Sequence, residues 1–164
     1  FRTSVSSSLE IVFVWIYILL LFWLAFLKPE TKFWKLVKQK TEHKIHWTRI
    51  ESWAGQGIPD LFGISEGINV FVELKVTKSN SLGLSPFQMS WHYNHILNGG
   101  RSFIMLQHLS QRLLCVVPCF HIHSPSSIGL DSSPQYSVKL PASPAAWEAV
   151  VEFLLHSPFP LEKG

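Results

Sequence analysis

Gly57-Ile58-Pro59-Asp60 and Phe71-Val72-Glu73-Leu74-Lys75 are the two stretches that decide how this chain reads. In a strand, residues two apart point the same way, so Glu73 and Lys75 share one face while Leu74 turns to the other. Ahead of Asp60, the Gly-Ile-Pro signal fixes a bend and forces an extended conformation into it. If the two strands pair, Asp60 and Glu73 meet as oxygen ligands for a hard divalent cation, with Lys75 beside them. Mg²⁺ takes one or two carboxylates and leaves its other positions to water and phosphate oxygens. That constellation suits phosphodiester hydrolysis. The plain alternative is an ion pair on a sheet, because Pro-Asp followed by Glu-x-Lys arises often by chance. The order of the surrounding elements favours the site.

Pro29 takes the first turn of a helix that the pattern carries to about Gln39, with Phe33, Leu36 and Val37 as its apolar stripe and lysines on the far side. Glu30 lies on the inward stripe, where it complements the helix dipole or joins a site. Strand-like runs follow over Lys44–Ser52, Pro59–Ile64 and Ile68–Thr77, punctuated by glycines. Ser79–Gly83 reads as a flexible, substrate-facing loop. Ser85-Pro86-Phe87-Gln88 has the form of a capping box with proline at the first helical position, and that helix stops near Asn98 at Gly99-Gly100. Gln88, His92 and His95 fall on one polar helix face, which is expected to be solvated or to touch substrate. Two more strands, Ser102–Gln107 and Arg112–Pro118, flank a hairpin near Leu109-Ser110. The chain from Ser124 to Pro144 is rich in Ser and Pro and reads as loop. Ala145–Leu155 has a helical pattern with Trp147, Val150, Val151 and Leu154 on one side.

Asp60, Glu73 and Lys75, with Pro59 in front, resemble the signature of the PD-(D/E)XK nuclease superfamily. A helix with an early acid (Glu30), Arg49-x-x-Ser52, Gly57-x-Pro59-Asp60, Glu73-x-Lys75, Leu84-Ser85-Pro86-x-Gln88 and Gly99-Gly100 together are similar to VRR-Nuc-type and Holliday-junction-resolvase-like members. The resemblance spans roughly Lys28 to Pro118. It implies a restriction-endonuclease-like α/β core, a central mixed sheet flanked by helices in αβββαβ order, and Mg²⁺-dependent cleavage of DNA, including branched DNA. Mn²⁺ is the expected substitute. The implied metal ligands are Asp60, Glu73, the Leu74 backbone carbonyl and Glu30, the last directly or through water. Lys75 orients the attacking water, and Gln88 lies nearby. Arg49, Ser52, Lys78 and Ser85 are the candidate substrate contacts. Resolvase-like relatives also suggest a homodimer. The rivals are a nucleic-acid-binding module of the same fold without catalysis, and a membrane-anchored protein with a nuclease-like domain.

The remaining features set boundaries. At 164 residues the chain suits one domain. Half of its 14 basic residues lie between Lys28 and Arg49, which suits a polyphosphate partner but also an ordinary solvated helix. Cys115 and Cys119 make neither a disulfide framework nor a zinc site, which favours an intracellular setting. His121-x-His123 lacks further ligands and reads as incidental. Trp53 and Trp91 are core candidates before they are base-stacking ones. Ile11–Leu27 is an uncharged apolar run of 17 residues at the lower limit of a bilayer span, and the lysines after it would place the downstream chain on the cytoplasmic side. The chain starts at Phe1 rather than methionine, so this run reads equally as a non-native extension. The expected organisation is therefore 1–27 hydrophobic segment, 28–123 nuclease-like domain, and 124–164 loop and C-terminal helix.

Overall fold

The computed structural model describes residues 12–18, 28–51, 55–121 and 136–158. Helix α1 (Pro29–Thr41) leads into β1 (His46–Arg49), β2 (Leu61–Ser65) and β3 (Ile68–Thr77); α2 (Pro86–Leu97) then crosses to β4 (Ser102–His108), β5 (Leu113–Pro118), β6 (Tyr136–Lys139) and α3 (Pro144–His156). Among the described residues the strands form one six-stranded sheet whose spatial order follows the sequence, β1 to β6. Neighbours are antiparallel except β3 and β4, which run parallel in the register Glu73↔Ile104 and Lys75↔Leu106. A parallel pair needs a crossover, and α2 supplies it. The result is an α/β fold with a mixed sheet between helices, in the αβββαβ order expected of a restriction-endonuclease-like core.

The period of two along β3 divides the molecule into layers. Val70, Val72 and Leu74 pack with Phe33 and Val37 of α1 and Trp147, Val150 and Leu154 of α3. Ile104, Leu106, Cys115 and Val117 face the other way, against Met89 and Ile96 of α2. Burial of each large apolar side chain contributes about 1.5–3 kcal/mol, so the first layer, which is the larger, carries most of the stability. Arg101 fastens α3 to the sheet by donating to the carbonyls of Leu154 and Ser157, both at 3.0 Å.

Three expectations are corrected here. The first strand starts at His46 rather than Lys44, because the N–H groups of Lys44 and Ile45 still bond the Thr41 carbonyl at the helix exit. The second starts at Leu61 rather than Pro59, since proline has no N–H for the ladder. Within the stretch read as loop, Tyr136–Lys139 forms β6 on the edge of the sheet beside β5. Its four residues are too few to show an alternating pattern. Residues 12–18 are helical with exposed side chains, and the rest of the Ile11–Leu27 run lies outside the described residues. Among the described residues no helix is long and apolar enough to cross a membrane.

Candidate active site

Asp60 follows the Gly57–Pro59 bend, and the bend is tied to α2. Gly57 has φ +87°, and a Cβ there would overlap the backbone carbonyl of Phe87 in the first turn of α2. A side chain at this position is therefore excluded twice, by conformation and by space. The last β2–β3 pair is Leu61↔Val72, so beyond Val72 the β3 edge has no strand partner on that side. The Asp60 carboxylate fills the gap: its Oδ2 accepts the Leu74 N–H at 2.9 Å. In a strand, the N–H and C=O of one residue point to the same side, so the Leu74 carbonyl also faces this gap.

Glu73 and Lys75 project from the opposite side of β3 to Leu74, under the start of α2. Lys75 Nζ lies 3.0 Å from Glu73 Oε1. Gln88 binds both: its Nε2 donates to Glu73 Oε1, and its Oε1 accepts from Lys75 Nζ at 3.3 Å. Gln88 is itself fixed by the capping box, with Ser85 N donating to Gln88 Oε1 at 3.0 Å and Gln88 N to Ser85 Oγ at 3.2 Å. Glu73 is only 2 % exposed, and its second oxygen, Oε2, is buried without a hydrogen-bond partner. Burial, reinforced by the nearby Asp60 carboxylate, pushes the Glu73 carboxyl up to about 7 against the pull of Lys75 and of the Asp60 backbone N–H.

His92 lies in the same layer. Its Nδ1 is 2.5 Å from Ser102 Oγ, and its Nε2 is buried without a partner. Burial, with His95 and Lys75 adding positive charge, depresses His92 to about 4, so the ring is neutral at physiological pH. Cys119 lies close to Ser102 and Glu73, and burial pushes its thiol well above its ordinary range. The face carrying Gln88, His92 and His95 is therefore turned inward, not solvated. His95 stacks on Trp91, and both rings pack on Phe71, which in turn meets Phe62. The sequence assigns Ser102 no site role and marks Cys119 only as a free thiol. The alternation along β4, which sets Ser102 on the Ile104 and Leu106 face, was the available signal for the first of them.

The structure thus brings together Asp60, Glu73, Lys75, Gln88 and Ser85. It separates others. Arg49 is exposed on the edge strand and follows Trp47 onto the α1 face, away from Glu73 and Lys75. Lys78 is exposed just past the end of β3. Glu30 is half-buried in the first turn of α1, and among the described residues no hydrogen bond or ion pair joins it to Asp60, Glu73 or Lys75. Ser52 and Trp53 lie outside the described residues, as does the His121-x-His123 pair beyond the His121 backbone. Among the described residues no three His, Cys, Asp or Glu side chains cluster as a metal site. The gap offers the Asp60 carboxylate and a backbone carbonyl, and the buried Glu73 carboxylate lies near enough to feel the Asp60 charge. A hard cation that keeps its own waters fits that donor set.

No family model and no curated protein matches the chain. Among solved structures it is similar to Hjc, a Holliday junction resolvase from Archaeoglobus fulgidus, at 14 % identity and a TM-score of 0.47, covering 74 % of this chain and 89 % of that one.

Proposed function

We propose that the chain is a Mg²⁺-dependent endonuclease that hydrolyses phosphodiester bonds in DNA, branched or junction DNA included. One observation carries the reading. The Asp60 carboxylate is docked on the Leu74 N–H where the sheet opens, next to a buried Glu73 with an unsatisfied oxygen and a lysine held beside it. A purely structural ion pair between Glu73 and Lys75 has no need of a second carboxylate beside it, and burying a carboxylate next to another is costly. The motif's resemblance to the PD-(D/E)XK superfamily supports the same chemistry.

Asp60, Glu73 and the Leu74 carbonyl would hold the metal, which when bound polarises the scissile phosphate and acidifies a coordinated water. Asp60 is aimed by its bond to the Leu74 N–H, and Glu73 must be ionised to serve. Lys75 orients the water and stabilises charge developing on the phosphate, as a fixed cation and not as a strong base. Gln88 keeps Lys75 and Glu73 in one arrangement, and Ser85 keeps Gln88 there. Two cuts in a junction would need two such sites, which a homodimer would supply.

The test is cleavage of plasmid, linear and four-way-junction DNA by the full chain, with Mg²⁺ or EDTA, beside Asp60→Asn, Glu73→Gln and Lys75→Ala. Asp60→Asn retains an oxygen for the Leu74 N–H, so it should fold normally and lose metal-dependent cutting. The wild-type chain should cut only with the metal. DNA binding without cutting, unchanged by all three substitutions, would leave a binding module in place of an enzyme.

A further inference from the structure

The basic stripe of α1 is part of a concave surface. Thr31, Trp34, Lys35, Lys38 and Gln39 of α1, with Arg49 at the end of β1, line an open groove of about 470 Å³. Glu42 is the one acid in the lining, against three cations. Trp34 is a fixed ring in this groove. It meets Trp47 edge-on, with centroids 6.5 Å apart and planes at 87°. Trp47 is itself anchored, its indole N–H donating to Thr41 Oγ1 at 2.8 Å and that hydroxyl donating to the Val37 carbonyl at 2.7 Å. The groove lies on the sheet face opposite Glu73 and Lys75, yet Arg49 pairs with Leu61, the residue after Asp60. It therefore opens at the same end of the β1–β2 hairpin as the candidate site.

We propose that this groove binds the backbone of a single nucleic-acid strand, with Lys35, Lys38 and Arg49 on successive phosphates and one base against Trp34. Lysine and arginine neutralise phosphates, while Thr31 and Gln39 supply short-range donors that position the strand. A preset aromatic ring accepts any base, because every base has a stacking face. A concave notch with an aromatic floor suits a flexible strand. An anionic lipid surface is flat and would meet a convex face. The inference extends the proposed nuclease reading by a second contact surface, and binding measured without metal keeps the two separable.

The experiment is fluorescence anisotropy of a labelled oligo-dT in EDTA, with the full chain carrying Glu73→Gln, over a range of salt. Each phosphate contact adds about −0.7 to the log–log salt slope for a single strand, so removing two should flatten it by about 1.4. Lys35→Gln with Lys38→Gln should do this and weaken binding about tenfold. Arg112→Gln with Lys139→Gln removes the same charge at the far edge of the sheet and should change little. Trp34→Leu should weaken binding severalfold with the slope unchanged; the surface lysine pair tests the groove even if that core-adjacent substitution unfolds the chain. Equal effects of the two charge pairs, or none from either, would overturn the proposal. So would loss of binding to phosphatidylserine vesicles in the Lys35/Lys38 variant with oligonucleotide binding intact. If wild-type chain fails to cut DNA while the groove pattern holds, the nuclease reading falls and the groove stands. Normal cutting with groove variants that bind like wild type gives the reverse.

Discussion

The two faces of β3 are built from different chemistry, one apolar and one polar. Val70, Val72 and Leu74 look into a dry layer closed by α1 and α3, where Phe33, Phe103, Trp147 and Leu154 are at most 2 % exposed. Phe71, Glu73 and Lys75 look toward α2, where a buried carboxylate, a lysine, an amide and a neutral histidine share space with aromatic rings. One strand holds the fold together with one side and gathers polar groups with the other. Apolar burial is non-directional and adds up along the first face. On the second, burying a carboxylate, a lysine and a histidine together is costly unless each finds partners, and Gln88 and Ser102 supply them.

The largest effect expected from breaking this division is on the dry side. Phe103 sits opposite Val72, fully buried, with its ring 6.2 Å from that of Phe153. Phe103→Ala should cost about 4 kcal/mol, transfer and cavity together, which is a large part of the stability of a domain of this size. Urea unfolding followed by circular dichroism would measure it. A loss under about 1 kcal/mol would mean that the layer collapses around the gap and is not close-packed.

On the polar side the same strand should respond in the opposite direction. Glu73→Gln removes a carboxyl whose ionisation is opposed by burial. Above pH 7 the variant should be more stable than wild type by about 2 kcal/mol, less than the roughly 1.4 kcal/mol per pKa unit would give, because the new amide leaves a donor unpaired. It should also lose about 100-fold or more in metal-dependent cleavage, if the proposed function holds. Greater stability with lost activity is the signature of a site, whereas a structural ion pair would lose stability.

The pH dependence sharpens the comparison. Glu73 is raised from 4.5 to about 7, so its neutral form is favoured in the folded chain; its contribution is fully present below pH 4.5 and is lost as pH rises through 7. His92 is lowered from 6.5 to about 4, so its contribution is present above pH 6.5 and is lost as pH falls toward 4. Between pH 4.5 and 6.5 the two slopes oppose each other at about 1.4 kcal/mol per unit each. For this pair the wild-type stability should be flat there. Glu73→Gln should tilt it, with stability falling as pH drops, and His92→Gln should tilt it the other way. Parallel profiles for all three proteins would show that neither group is desolvated as the geometry implies.

Most of the first face was legible in the sequence, because period-two and helical patterns of large apolar residues report burial directly. Ile68–Thr77 was bounded correctly from such a pattern. The relation of Glu73 to Lys75 was legible for the same reason, as strand geometry alone puts them on one side. The sequence did not show that Asp60 would reach the Leu74 N–H, since that depends on where β2 ends. Nor did it show that His92 would be buried. A polar helix face normally meets water, and only packing of α2 onto Ser102 and the β3 aromatics turned it inward. Arg49 illustrates the converse: near Asp60 in the paired strands, it was still carried to the other face by alternation.

The smallest expected effect lies where local sequence and site meet. Ser85 caps α2 and, through Gln88, holds the amide that binds both Glu73 and Lys75. Ser85→Ala should cost about 1 kcal/mol, the usual value of an N-cap. If the cap served the helix alone, Ser85→Asp, which preserves an accepting oxygen at the N-terminus, would restore stability and activity together. The geometry gives a different expectation. An added carboxylate beside Gln88 competes for its amide and for Lys75, so Ser85→Asp should recover stability while cleavage stays several-fold reduced. Melting temperature and initial cleavage rate, measured on the same preparations, separate the two cases. Recovery of both would return Ser85 to the scaffold and leave Gln88 as the last residue of the helix with a hand in the site.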